Sequence, residues 1–149
     1  MKITNITIEN YKSIKKMVFR PNSGLNAFIG ENSVGKSNIF DGINWLIGST
    51  WPSFSSTQTE DHWNGDINNK IKITLEYDDE FVLTLDESLD KYQFSITKDG
   101  SFGNNTDRSN HSSAYLGIDR EIKDYLPSNR WSLIGRILQQ INSQFEKED

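Results

Sequence analysis

The residues Gly30-Glu31-Asn32-Ser33-Val34-Gly35-Lys36-Ser37 read G-x-x-x-x-G-K-S, the spacing of a loop that cradles phosphate. Gly30 and Gly35 free the backbone to take turns that a Cβ would forbid and to approach phosphate oxygens closely. The N–H groups of Asn32, Ser33, Val34, Gly35, Lys36 and Ser37 can then converge on one anion-sized concavity. A helix beginning there adds its unpaired donors and its dipole. Lys36 would place its ammonium on the β- and γ-phosphates, and Ser37 would give its hydroxyl to a bridging Mg2+. The expected ligand is ATP with Mg2+. GTP is disfavoured, because Asn69-Lys70-Ile71-Lys72 starts the guanine-reading Asn-Lys-x-Asp pattern and lacks its acid.

Other chemistry is thinner. Val82-Leu83-Thr84-Leu85-Asp86-Glu87 imitates a Walker B strand, in which Asp86 would hold Mg2+ and Glu87 would polarise water. However, residues 80–85 alternate with period two and follow an alternating partner across a short turn, which is the pattern of an antiparallel hairpin. A Walker B strand would instead be buried in a parallel sheet. His62 and His111 stand far apart in polar loops and are expected to be exposed. With no Cys, there is neither a disulfide framework nor a thiolate metal site.

The elements around the loop follow from periodicity. Residues 2–9 alternate, with Ile6 and Ile8 on one face, as a half-buried strand does. A second strand is expected over 15–20 and a third, deeply buried, over Leu25-Asn26-Ala27-Phe28-Ile29, just before the loop. A helix from Ser37 to Gly48 has Ile39, Ile43, Leu46 and Ile47 as its apolar stripe. Residues 49–69, with Trp51, Phe54 and Trp63, read as a long polar loop. Alternation over 70–77, 80–85 and 92–98, with Asp78-Asp79 and Asp99-Gly100 as turns, predicts an antiparallel meander over 70–102. Residues 103–112 read as a polar loop. Ala114 to Ile118 is a short strand, and a short helix to Leu126 is stopped before Pro127. A last helix has Trp131, Ile134, Ile137, Leu138, Ile141 and Phe145 as its stripe. At 149 residues the chain is expected to be one domain.

Composition adds limits. Net charge is −5, which does not favour a free-standing nucleic-acid binder, since phosphate neutralisation needs clustered Lys and Arg. The hydrophobic share of 34% is low for a folded chain and suggests long polar loops or a face that another part covers. No apolar run approaches membrane-spanning length and no secretory leader is visible at Met1, so the expectation is a cytoplasmic protein without membrane contact.

The opening Ile6-Thr7-Ile8-Glu9-Asn10-Tyr11-Lys12-Ser13-Ile14, followed by Gly30-Glu31-Asn32 and Gly35-Lys36-Ser37-Asn38, resembles the N-terminus of the SMC and RecF-like branch of ABC-type ATPases. Gly35 to Ile39 with Ile43-Asn44-Trp45-Leu46-Ile47-Gly48 is similar to the overcoming-lysogenisation-defect (OLD) family of ATP-dependent nucleases. The resemblance is strong over 1–48 and weaker beyond. It implies an α/β P-loop NTPase fold of the ABC/SMC type: an N-terminal lobe with a mixed sheet, the loop helix, an antiparallel meander and a C-terminal helix. It implies a nucleotide site over Gly30 to Asn38, with Asn32 near the γ-phosphate and the polar pair Lys12 and Ser13 reaching the nucleotide. Where the branch usually has a metal-touching Gln, this chain has Asp119 and Arg120. They could be an outer group near the metal and a phosphate or interface contact, or equally an ion pair capping a helix.

The resemblance further implies two heads that homodimerise around two ATP molecules. It places Walker B and signature motifs in a C-terminal half, followed by a toprim nuclease domain. DNA is the implied partner, and antiphage defence or DNA repair the implied setting. No group within 1–149 is convincing as a catalytic residue, so this chain alone is expected to be inactive. Two alternatives remain: a self-contained small P-loop kinase or ATPase using Asp86 as its metal acid, and a structural module that binds nucleotide without turnover.

Overall fold

The computed structural model describes residues 2–31, 34–48, 53, 57–89 and 94–111, and beyond them Ile134, Gly135 and Leu138. The chain divides into two units, Met1–Ser113 and Ala114–Asp149. In the second unit the three described residues are helical, and Ile134 and Leu138 are exposed. The expected strand at 114–118, Asp119, Arg120 and the rest of the last helix lie outside the described residues, as do Trp51, Phe54 and Tyr92.

Alternation builds the first unit. β1 (Ile3–Tyr11), β2 (Ile14–Phe19), β3 (Lys72–Tyr77), β4 (Val82–Asp86), β5 (Ser95–Lys98) and β6 (Ser101–Phe102) form one sheet in the order β2-β1-β3-β4-β5-β6. The pairings set apolar residues opposite one another: Ile8 faces Met17 and Ile73, Ile73 faces Leu85, and Leu85 faces Ile96. A second row runs Ile6, Leu75, Leu83. A one-residue slip would turn every one of these to the other face, so burial fixes the register. The opposite face is polar, with Thr7, Thr74, Thr84 and Thr97 directly adjacent across four strands.

The turns are the ones the sequence announces. Asp99 and Gly100, at φ 51° and 81°, close the β5–β6 hairpin, and residues 78–81 close β3–β4. The expected mixed sheet is not seen: every pairing among the described residues is antiparallel, and the meander joins β1 directly through β3.

Two expectations fail instructively. Residues 25–29 are not a strand; Leu25 and Ile29 are 96% and 94% exposed, and only Phe28 turns inward, against Phe19 and Phe40. A strand exists only with a neighbour to pair with, and the apolar run by itself cannot say whether one is there. Conversely, the expected loop at 103–112 contains α2 (Asn105–Asn110). Asn104 accepts the N–H groups of Thr106 and Asp107, and Asp107 accepts the N–H of Asn104, which is a reciprocal cap written in the sequence as Asn-x-x-Asp.

Among the described residues α1 (Lys36–Ile47) lies on the apolar face, burying Ile39, Leu46 and Ile47. Gly42 sets how closely it lies. A Cβ there would meet Ile8, Ile73 and Tyr11 at 3.3–3.4 Å, so the helix rests almost directly on β1 and β3. Trp45 wedges between the rings of Tyr11 and Phe94, at 5.3 and 4.8 Å between centroids. The start of α1 is thereby held above the β1–β2 turn. No helix among the described residues is long and apolar enough to cross a membrane.

Candidate functional site

Gly35, the second glycine of the phosphate-loop sequence, caps α1 with φ 89°, a left-handed conformation that L side chains rarely take. The N–H of Asn38 turns back to the Gly35 carbonyl at 3.0 Å, and the first turn of α1 has no acidic residue. The positive end of the helix is therefore not neutralised from within. Ser37 and Val34 are exposed on this surface. Gly30 differs from expectation: its φ is not positive and a Cβ would make only ordinary contacts with Val34 and Lys36. The backbone conformation here demands glycine at 35 and not at 30. Asn32 and Ser33 lie outside the described residues.

Lys36 is not freely solvated. Its Nζ donates to the carbonyl of Gly30 at 2.8 Å and to that of Glu31. The ammonium braces the loop that carries it, and a phosphate oxygen placed there meets a donor already held in position.

The Lys12–Ser13 turn between β1 and β2 lies against the same helix end. Ser13 Oγ accepts from Asn38 Nδ2 at 2.9 Å, and a Cβ at position 35 would overlap it. Lys12 Nζ reaches Asp41 Oδ2 at 3.3 Å on the next turn of α1. Lys12 itself has φ 49°. The polar pair singled out by resemblance is thus brought beside Gly35 and Asn38.

Sequence reasoning missed two supporting residues. Arg108, on α2 and 4% exposed, donates from Nε to the carbonyl of Leu46 and from Nη2 to that of Gly48, each at 2.8 Å. It satisfies carbonyls that a helix end leaves without partners, and it does so with a positive charge at the negative end of the dipole. Burial lowers its pKa from the ordinary value. The Asn-x-x-Asp cap was the available signal.

His62 is the second, and it overturns the expectation of an exposed loop histidine: it is 4% exposed and its Nε2 lies 3.0 Å from Glu87 Oε1. His111 is half-buried and stacks on Phe81 at 3.9 Å between centroids. Residues 57–65, expected as plain loop, form two 3₁₀ turns, Thr59–Asp61 and Trp63–Gly65.

The Walker B imitation is a hairpin strand, as its period indicated. Asp86 sits on β4, its Oδ2 bound to Lys72 at 3.0 Å and its Oδ1 to the Ser88 N–H and hydroxyl at 2.8 and 2.6 Å. Its oxygens are engaged within the hairpin, and Glu87 is bound to His62. Among the described residues no cluster of three or more His, Asp or Glu side chains could hold a metal ion by itself.

The donor set suits an anionic phosphate chain: a brace of lysine, an uncapped helix start and a glycine cradle that a Cβ would close. Fold and site together define a P-loop ATPase lobe, with the loop helix laid across an antiparallel sheet. Residues 1–113 match the AAA ATPase domain family, and the chain belongs to that family.

Its relatives stand where the resemblance put them. It is 26% identical to an OLD nuclease of Thermus scotoductus over 99% of this chain and 32% of that protein. It is 29% identical to a DNA double-strand break repair Rad50 ATPase of Pyrococcus abyssi over 78% of this chain and 14% of that one. The chain therefore spans about a third and about a seventh of these relatives. A solved structure from work on ATP-driven dimerisation and DNA-stimulated activation of SMC ATPases superposes with a TM-score of 0.57 at 21% identity. That match covers 72% of this chain and 75% of the other, and the likeness is one of fold.

Proposed function

We propose that this chain is the ATP-binding lobe of an ATPase head of OLD-like, SMC/RecF type. In this reading its heads close on each other around Mg2+-ATP and so regulate a DNA-directed activity carried outside residues 1–149, a toprim nuclease in particular, in antiphage defence or DNA repair. The observation that carries it is the convergence of Lys36, Ser37 and the Lys12–Ser13 turn at the start of α1. Its setting within the family, with an OLD nuclease and a Rad50 ATPase as relatives, supports it.

Each group has a task. Lys36 would exchange the Gly30 and Glu31 carbonyls for β- and γ-phosphate oxygens. The N–H groups opening α1 would hold the phosphate chain, with Asn32, Ser33, Val34 and Asn38 as further loop contacts. Ser37 is the residue that would hold Mg2+, whose charge offsets that of the phosphates. Ser13 would keep its hydroxyl beside Gly35, and Lys12 would add positive charge at the rim. Asp119 as an outer metal group and Arg120 as a phosphate or interface contact belong to the same reading.

Phosphoryl transfer depends on several charges positioned at once. With Asp86 and Glu87 engaged within the hairpin and by His62, this chain is assigned binding and not turnover. The exposure of Leu25 and Ile29 supports a covering part, which we take to be the C-terminal half of the head. The test is isothermal titration of 1–149 with ATP, with and without Mg2+, alongside a phosphate-release assay and a Lys36→Ala blank. Binding that Lys36→Ala abolishes, without hydrolysis, is the expected result. Robust multiple turnover by 1–149 alone that Lys36→Ala removes would favour the self-contained enzyme, and no binding at all would end the reading.

A further inference from the structure

We infer that His62 and Glu87 form a proton-dependent clamp that positions the Lys12–Ser13 turn at the phosphate loop, so that nucleotide affinity depends on the charge of a histidine remote from the nucleotide. The inference rests on the ATP-binding reading above. It makes His62 a positioning residue.

The Lys12 N–H donates to the carbonyl of Asp61 at 2.7 Å, Tyr11 and His62 form an isolated antiparallel bridge, and Lys15 Nζ lies 4.9 Å from the centre of the Trp63 ring. Residues 61–63 therefore clasp the end of the hairpin that bears Lys12 and Ser13. The surrounding stretch 57–65 is short and largely polar, and most of its residues are exposed. Its anchor is the imidazole of His62, buried along with Glu87, which is 2% exposed.

The hydrogen bonds count the protons. His62 Nδ1 lies 3.2 Å from the carbonyl of Gln58, which can only accept, so Nδ1 carries a proton. Nε2 lies 3.0 and 3.1 Å from the two oxygens of Glu87. Glu87 Oε2 already accepts the Ile71 N–H at 2.9 Å, and Lys70 Nζ stands 3.4 Å from Oε1, so both oxygens serve as acceptors. A donor on each nitrogen, as in the imidazolium, would satisfy both of these acceptors. The other charged or titratable neighbours are Asp61 on the same turn and Tyr11 on β1, whose phenol burial pushes well above its ordinary range, with Asp41 and Asp61 adding to the effect.

Removing one proton makes the arrangement self-defeating. With Nε2 bare, a lone pair faces a buried carboxylate; with Nδ1 bare, a lone pair faces a carbonyl. An unpaired buried polar contact is costly. The clasp on Lys12 and Tyr11 then loosens, and Ser13 loses its fixed place beside Gly35 and Asn38. Rising pH should therefore weaken nucleotide binding.

Glu87→Gln provides a variant in which the sign inverts. A carboxamide can still accept the Ile71 N–H while donating to a bare Nε2, so neutral His62 now fits and imidazolium does not.

The experiment measures Mg2+-ATP affinity of 1–149, of Glu87→Gln and of His62→Gln from about pH 5.5 to about pH 8.5, the range in which histidines titrate. Ratios between variants cancel titration of the nucleotide itself. The expected result is that wild-type affinity, relative to His62→Gln, falls about five- to tenfold as pH rises, whereas Glu87→Gln shows the opposite trend. Parallel profiles for wild type and Glu87→Gln would overturn the inference while leaving the binding site intact. Absence of binding at every pH would overturn the ATP-binding reading and this inference with it. Should either variant fail to fold, wild type alone decides by NMR: the Lys12 amide must shift with the same midpoint as the His62 ring, and independent midpoints refute the clamp.

Discussion

The Ser13 hydroxyl occupies the space that a side chain at Gly35 would need. One residue belongs to the β1–β2 turn and the other to the phosphate loop, so the contact joins two parts of the chain 22 positions apart by their sequence numbers. Asn38 completes it by donating to the same oxygen. The cradle is therefore not a property of the loop alone, because its outer wall comes from a hairpin.

Gly35→Ala should suffer twice: from the strain of a left-handed φ, about 1–2 kcal/mol, and from the clash with Ser13. Ser13→Gly in the same chain should relieve the clash and leave the strain. Urea denaturation of the two single variants and the double variant measures this as a coupling energy. Additive losses would mean that the two residues do not meet.

Lys36→Ala should change the loop before any nucleotide arrives, because the Nζ bonds to Gly30 and Glu31 disappear. ATP affinity should fall at least about tenfold, as expected for a lost charge-assisted bond. Thermal stability without nucleotide should move little, since the brace is exposed. Nucleotide-dependent thermal shift reads both quantities from one sample series.

Asp86→Asn should spare Mg2+-ATP binding and alter acid stability. Burial alone would raise the Asp86 pKa, but hydrogen bonds from Ser88 and Lys72 outweigh it, so the folded-state value lies below the ordinary one. A depressed carboxyl pKa stabilises the fold above the unfolded value, about 3.9, and that contribution is lost as pH falls through the folded-state value. Wild type should therefore lose more stability than Asp86→Asn between about pH 5 and about pH 2, as followed by circular dichroism. A selective loss of Mg2+-dependent binding in the variant would instead restore Asp86 as a metal acid.

Arg108→Met should destabilise the first unit by about 2–4 kcal/mol, because two buried carbonyls at the end of α1 lose a charged donor. Arg108→Lys should recover part of this, since an ammonium can reach one carbonyl but cannot fork between two. Chemical denaturation of the three proteins checks the order, and equal stability of Met and wild type would mean the carbonyls find other donors.

The phosphate loop, the strand faces and the two tight turns were legible in the sequence because each depends on neighbours a few residues away. Glycine at φ 89° before Lys36, period-two alternation over Lys72–Tyr77 and an Asp-Gly turn are local statements about backbone and burial. Asp86 could be judged from its strand's period for the same reason. What lay outside such reading was pairing at long range. Leu25 to Ile29 has the composition of a buried strand, yet whether a partner stands beside it is not written within those five residues. His62 and Glu87 are 25 positions apart by number, Arg108 and Leu46 are 62 apart, and neither pair follows a spacing that a helix or strand would repeat. Their burial belongs to the tertiary structure. There a polar loop histidine meets a carboxylate and Arg108 meets the end of the helix that starts at the phosphate loop, because desolvation leaves such groups stable only where they find partners.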